Sequence, residues 1–233
     1  AITFVAFVIL FMAPGNEMRV ASEITTWMPG YKELSVGNHL FMTIQWMLSS
    51  FANEGKAFFI AIWAAGFLLL VKSKKAKVYQ ILAVVFSVAA ILPYAGITFF
   101  SEMGIGDIDI EQCLMELPTW QSMTTQNRIA FFWWIAAVLF TLVLLWKVTG
   151  HSVFISMVFL GGIASEAVLY FSPTIYASGA RVYYLTDLMY LFIILWMVMR
   201  MDSEKKKNLF IAGAAALGII NFLSQYSIML LKL

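Results

Sequence analysis

The chain has 233 residues, of which 62% are hydrophobic and only 12% are charged, and its mean hydropathy is +0.85. A soluble domain of this length could not bury so much apolar surface, so the composition predicts a membrane protein in contact with the lipid bilayer. The net charge of +2 is too small to indicate nucleic-acid binding. One cysteine, Cys113, excludes an internal disulfide, and the distant pair His39 and His151 argues against a metal site.

Six apolar stretches are long enough, with their flanks, to cross a membrane as helices. They are Phe58–Val71, Val78–Phe100, Ile129–Lys147, Ser152–Phe171, Val182–Met199 and Leu209–Leu231. The sequence therefore predicts an all-α fold, a polytopic integral membrane helical bundle that forms one domain over residues 1–233.

Two further segments are apolar but do not read as full spans. Ala1–Ala13 is too short to cross the bilayer, and we interpret it as a partial span at the end of a longer helix. This predicts that the chain is the C-terminal portion of a longer protein. His39–Phe51 mixes polar and apolar residues, which favours a helix that lies in the interface or re-enters it.

The positive charges orient the predicted bundle. Lysines fill the loops 72–77 and 205–207, and Lys147 with His151 lies between two further spans. These loops fall on one side when the spans alternate, and the positive-inside rule places that side in the cytoplasm. The acidic segments 14–55 and 101–128 then face the exterior.

Two carboxyl groups lie within the predicted spans, where ionisable residues are costly and mark functional sites. Glu166 and Asp187 both lie about 8–9 Å below the exterior surface, at 1.5 Å per helical residue. Asn221 and Gln225 occupy a similar layer of the last span. Either the four side chains line a wet cavity in which the two acids are catalytic, or each acid is satisfied by a neighbouring Tyr or Ser and holds helices together.

The residues around Asp187 suggest how it is satisfied. Tyr183, Asp187 and Tyr190 share one helix face, so the phenols could hydrogen-bond the carboxylate. Arg181 points about 240° away around the same helix, which argues against a local salt bridge. Its partner is then an acid on another segment, a lipid headgroup or a substrate phosphate.

Two Pro/Gly-rich turns, each followed by an arginine, lie on the predicted exterior face. The first is APGNEMR over 13–19 and the second is SPTIYASGAR over 172–181. Gly15 and Asn16 tolerate left-handed backbone angles that aim amide groups at an anion, and Arg19 can add a bidentate contact to phosphate. Alternatively, the turn caps a helix and Arg19 pairs with Glu17 or Glu23.

Two more polar residues are candidates for the same exterior surface. Arg128 stands at the outer start of the third span and would add another cation to the phosphate-binding set. His39 stands at the head of the predicted interfacial helix, where it either assists proton transfer or serves as an ordinary polar residue at a helix start.

The two turn motifs and their placement resemble those of bacterial multi-spanning proteins related to the GT-C-type membrane glycosyltransferases, which include serotype-modifying glucosyltransferases. The resemblance implies a polyprenyl-phosphate-linked sugar as donor and an exterior cell-envelope glycan as acceptor. It also implies that Arg19 and Arg181, with Arg128, hold the lipid phosphate. In that superfamily the catalytic acid follows the first spanning helix. Either that part lies upstream of Ala1 or the resemblance does not extend to catalysis.

Three functions are consistent with these observations. The first is a membrane glycosyltransferase, or the C-terminal part of one, with no cofactor beyond its lipid-linked substrate. The second is a transporter or flippase for a lipid-linked or anionic solute, with conformational alternation through Glu166 or Asp187. The third is a non-catalytic subunit that positions a membrane protein partner through its aromatic-rich spans.

Overall fold

Every regular element in the described part of the chain is a helix. The computed structural model describes residues 16–91, 120–121, 123, 125–150, 152–168 and 183–231. These residues form eight α-helices: α1 Asn16–Trp27, α2 Val36–Ser50, α3 Lys56–Leu70, α4 Lys77–Ile91, α5 Thr125–Val148, α6 Val153–Ala167, α7 Tyr184–Met199 and α8 Glu204–Leu231. The predicted all-α class is confirmed for these residues.

The helices α3 to α8 lie where the six spans were predicted. Within the residues that the structure describes, one helical segment, Arg128–Val148 of α5, is by length and composition able to cross a membrane. The apolar helices α3, α4 and α6 have 15 residues and α7 has 16, which is shorter than the roughly 20 that a span requires. The predicted ends at Phe100 and Phe171 lie outside the described residues, so the polytopic arrangement stays a prediction.

Helix α3 occupies the centre of the bundle, in contact with α4, α5, α7 and α8. Its Phe59 and Trp63 are fully buried. Phe59 packs edge-on against Trp134 at a centroid distance of 5.7 Å, and Trp63 Nε1 donates to Thr141 Oγ1 at 2.8 Å. Both partners lie on α5 in the same order, so α3 and α5 run parallel. The indole N–H is satisfied inside the core, as burial of a tryptophan requires.

Helices α6 and α7 approach closely at Gly162 of α6, where the absence of a side chain leaves room for α7. A Cβ atom on Gly162 would lie 3.1 Å from Tyr190 Cε1, so a larger residue there would require the Tyr190 ring to shift by a few tenths of an ångström. Thr186 Oγ1 donates to the Gly162 carbonyl at 3.0 Å and lies 2.8 Å from Ser165 Oγ. Small residues and hydroxyl groups of this kind are the usual means of joining helices in an apolar medium.

Helix α2 lies across one end of the bundle rather than along it. Its residues contact three other helices in succession: Phe41 meets Phe131, Trp46 meets Tyr183, and Ser50 meets Glu166. The contacts fall near the start of α5, the start of α7 and the last turn of α6. A five-residue π-helical turn, Phe51–Gly55, then joins α2 to α3. We call this the α2 end; its position at a membrane interface stays a prediction.

The opposite end carries two of the lysine-rich loops, which meet there. Asp202, between α7 and α8, accepts from Lys72 Nζ at 2.8 Å and lies 2.9 Å from Lys206 Nζ. We call this the lysine end. The loops therefore share one end of the molecule, and which side of a membrane that end faces stays a prediction.

The Asp202 ion pairs predict acid-sensitive stability. Hydrogen bonds from Lys72 and Lys206 lower the pKa of Asp202 well below its usual range. Because the folded pKa is depressed, the stabilisation is complete above the unfolded value of about 3.9 and is lost as pH falls through the folded pKa. The Tm difference between wild type and Asp202→Asn should hold above about pH 5 and shrink below about pH 4.

The effect should be small, because half of the Asp202 side chain is exposed. Thermal unfolding in detergent across this pH range measures it. The control is Lys72→Gln, which removes one partner and should reproduce part of the change. A Tm difference that grows as pH falls would contradict the prediction.

Candidate functional site

A buried carboxyl group lies beneath α2. Glu166, in the last turn of α6, is 1% exposed and accepts a hydrogen bond from Ser50 Oγ at 2.8 Å. Ser50 Oγ also lies 2.8 Å from the carbonyl of Met47. A serine has one hydroxyl hydrogen for these two acceptors. The contact supports the interpretation in which Glu166 holds helices together.

The second predicted acid has a different environment. Asp187 lies in the first turn of α7 and is partly exposed, whereas Glu166 is enclosed. Asp187 is the more accessible of the two acids.

The expected hydrogen bond from Tyr190 to Asp187 is not formed. Tyr190 is 1% exposed, and its hydroxyl has no hydrogen-bond partner among the described residues. Its ring stacks on Phe159 at 5.5 Å and packs edge-on against Phe59 at 5.6 Å. Ring packing in the core, rather than the helical spacing, decides where the hydroxyl points.

The Arg128 side chain is held in place by Trp120, eight residues earlier in the sequence. In the first turn of α5, its Nη2 donates to the Trp120 carbonyl at 3.1 Å, and Cζ lies 5.1 Å from the centre of the Trp120 ring. The Nε atom is buried and meets no acceptor in the described part of the chain. The guanidinium is thus oriented by a cation–π contact while one of its donors is left unused.

Unused hydrogen-bonding capacity remains on three buried side chains of helices that contact one another. Within the described ranges, three buried side-chain atoms make no hydrogen bond: Gln45 Oε1, Arg128 Nε and Tyr190 Oη. They come from α2, the start of α5 and the second turn of α7. Because buried polar groups are nearly always paired, each unpaired atom indicates a place for water or a ligand beside it.

The structure places the remaining predicted site residues less centrally. His39 donates from Nε2 to the Tyr31 carbonyl at 2.9 Å, and its ring stacks on the Tyr31 ring at 4.5 Å, which favours a structural role. Asn16 and Arg19 lie in the first turn of α1. Arg181 lies outside the described residues.

Three residues of this site were missed in the sequence. Ser50 belongs to a pair of serines without a neighbouring histidine or lysine pattern, and its partner is 116 positions away. Gln45 and Ser50 are both buried in a helix expected at an interface, and polar residues within an apolar stretch were the available signal. Trp120 gave no signal, because its contact with Arg128 depends on a turn that composition does not reveal.

These observations define a class: an α-helical bundle with a buried polar site at one end, covered by a crossing helix. Comparison with known proteins adds no identity, since no family model matches the chain and no curated protein or solved structure is significantly similar to it. The resemblance to membrane glycosyltransferases therefore stays a prediction.

Proposed function

We propose that the chain is a polytopic membrane protein, with α3 to α8 as its spans and the lysine end in the bacterial cytoplasm. Large apolar side chains on the outer helices support this. Val78 and Ile81 of α4 and Leu209 and Ile219 of α8 are each about 60% exposed or more. Exposed apolar surface of this extent is expected where lipid, rather than water, is the solvent.

We further propose a membrane glycosyltransferase that uses a polyprenyl-phosphate sugar as donor and an exterior cell-envelope glycan as acceptor. The observation that carries this proposal is Arg128, whose Nε donor is buried and meets no acceptor among the described residues, while Nη2 is held by Trp120. Phosphate oxygens are the acceptors that guanidinium groups bind best, often through two parallel hydrogen bonds. A lipid phosphate at the α2 end would accept a hydrogen bond from the unpaired Nε of Arg128.

The proposal gives different roles to the two acids, Asp187 and Glu166. In inverting transfer from a lipid phosphate, the phosphate leaves as an anion, which Arg128 stabilises, and a base takes the proton of the acceptor hydroxyl. Asp187 is the better base because it is partly exposed at the start of α7. Glu166, enclosed beside Ser50, fixes α6 to α2.

Helix α2 bridges these groups. Phe41 contacts Phe131, one turn beyond Arg128, and Trp46 contacts Tyr183, one turn before Asp187. The two contacts are five residues apart on α2, or about 7–8 Å. Helix α2 therefore contacts both the helix that carries Arg128 and the segment that leads into Asp187.

A transporter or flippase for the same lipid is the second candidate. The π-helical turn Phe51–Gly55 between α2 and α3 favours it, because π-turns in helices often occur at functional sites. A hinge there would let α2 uncover the end of the bundle. Both candidates require binding of the lipid phosphate and differ in the fate of the sugar.

One experiment separates the two. The purified chain is reconstituted in liposomes with polyprenyl-phosphate hexose labelled in the sugar, and isolated cell-envelope glycan is added outside. Label on the glycan supports the transferase. Intact labelled lipid that crosses the bilayer without transfer supports the flippase. Equal binding of polyprenyl phosphate and neutral polyprenol would refute both.

A further inference from the structure

A second recess lies away from the α2 end, along the outer side of the bundle. It is a groove of about 340 Å³ between α3, α4 and α8, and its lining is almost entirely apolar. Small residues create it: Ala61 and Ala64 on α3 face Gly213 and Ala214 on α8. The volume is within the range of about 300–1,000 Å³ that is typical of ligand sites.

Cationic side chains stand at one mouth of this groove. Leu68 and Leu209 line it near the lysine end. Lys205 precedes Leu209 by four residues within α8, so the two share a helix face. Lys72 lies in the turn after α3, where it pairs with Asp202 at 2.8 Å. Both lysines are exposed. At this end Lys72 and the lysines at 205–207 outnumber Asp202 and Glu204, so the apolar groove has an entrance of net positive charge.

We propose that this groove binds one acyl chain of an anionic glycerophospholipid, whose headgroup phosphate contacts Lys205 within the positive field of the lysine end. The apolar lining suits a hydrocarbon chain, because the chain gains many van der Waals contacts with the walls of the groove. The lysines select a negative headgroup, as basic residues at the surface of an anionic leaflet do. This site is independent of the phosphate site proposed at Arg128.

The test uses two glycines of α8 as a matched pair. A Cβ atom added at Gly213 or at Gly218 meets nothing within 4 Å, so leucine fits at both positions, and only Gly213 lines the groove. The two lie about 140° apart around the helix. Gly213→Leu fills the groove, whereas Gly218→Leu leaves it open with the same gain in helix propensity.

Native mass spectrometry of the delipidated chain in detergent measures binding of dioleoyl phosphatidylglycerol and of dioleoyl phosphatidylcholine. We expect one tightly bound phosphatidylglycerol per chain, weakened about tenfold by Gly213→Leu and unchanged by Gly218→Leu. Lys205→Gln should weaken it about fivefold without affecting phosphatidylcholine. Circular dichroism confirms that each variant folds.

Two results would overturn the proposal. One is equal affinity for the two lipids, which would leave the lysines without a role. The other is unchanged phosphatidylglycerol binding in a folded Gly213→Leu variant, which would place the lipid elsewhere on the bundle.

Discussion

Replacement of Arg128 by alanine is expected to reduce sugar transfer by about 100-fold or more while the helical fold is kept. The loss is large because the guanidinium would stabilise charge that develops on the leaving phosphate. The fold survives because the side chain contacts Trp120 through one hydrogen bond and one cation–π contact, which together contribute only about 1–2 kcal/mol. Transfer from labelled polyprenyl-phosphate hexose in liposomes measures the rate.

The chain supplies a matched control in Arg200. Its Cζ lies 4.2 Å from the centre of the Trp196 ring, so it resembles Arg128 in its cation–π contact, but it lies at the lysine end. Arg200→Ala should leave transfer unchanged. Arg128→Lys keeps the charge but loses the planar fork, so only part of the rate should return. Normal transfer by a folded Arg128→Ala variant would rule out the proposed phosphate site.

The helices were predictable because each depends on local sequence. Apolar runs bounded by lysine loops located α3 to α8, and the acidic or polar segments between them were expected outside. The meeting of two lysine loops at Asp202 agrees with the expected alternation of helix direction. The π-turn Phe51–Gly55 was not predicted: it joins α2 directly to α3, where the sequence predicted two separate segments, His39–Phe51 and Phe58–Val71.

The site was predictable only in part, because it depends on contacts between distant segments. Arg128 and the two acids stood out as charges beside or within apolar runs. The hydrogen bond between Ser50 and Glu166, and the burial of the Tyr190 hydroxyl among aromatic rings, arise from the way α2 crosses the bundle. A helical period places Tyr190 and Asp187 on one face, but it cannot show that core packing turns the phenol elsewhere.

Glu166→Ala is expected to lower the free energy of unfolding by about 3 kcal/mol. The substitution leaves a cavity at a fully enclosed position and removes one of the two acceptors of Ser50 Oγ. Glu166→Gln keeps the volume and an oxygen acceptor, and its amide supplies donors where Ser50 and Met47 offer one hydrogen between them. The glutamine variant should therefore lie within about 1 kcal/mol of wild type. Thermal or denaturant unfolding in detergent gives both values.

Comparison of Asp187→Asn with Glu166→Gln tests which acid is the base and which has a structural role. If Asp187 is the base, its amide variant should unfold like wild type and transfer about 100-fold more slowly, whereas Glu166→Gln should transfer normally. The opposite result, with transfer lost in Glu166→Gln and kept in Asp187→Asn, would move the base to Glu166. It would also require α2 to uncover Glu166 during turnover, because a 1% exposed carboxyl group cannot reach an acceptor hydroxyl. The π-turn Phe51–Gly55 is the place where that movement would have to occur.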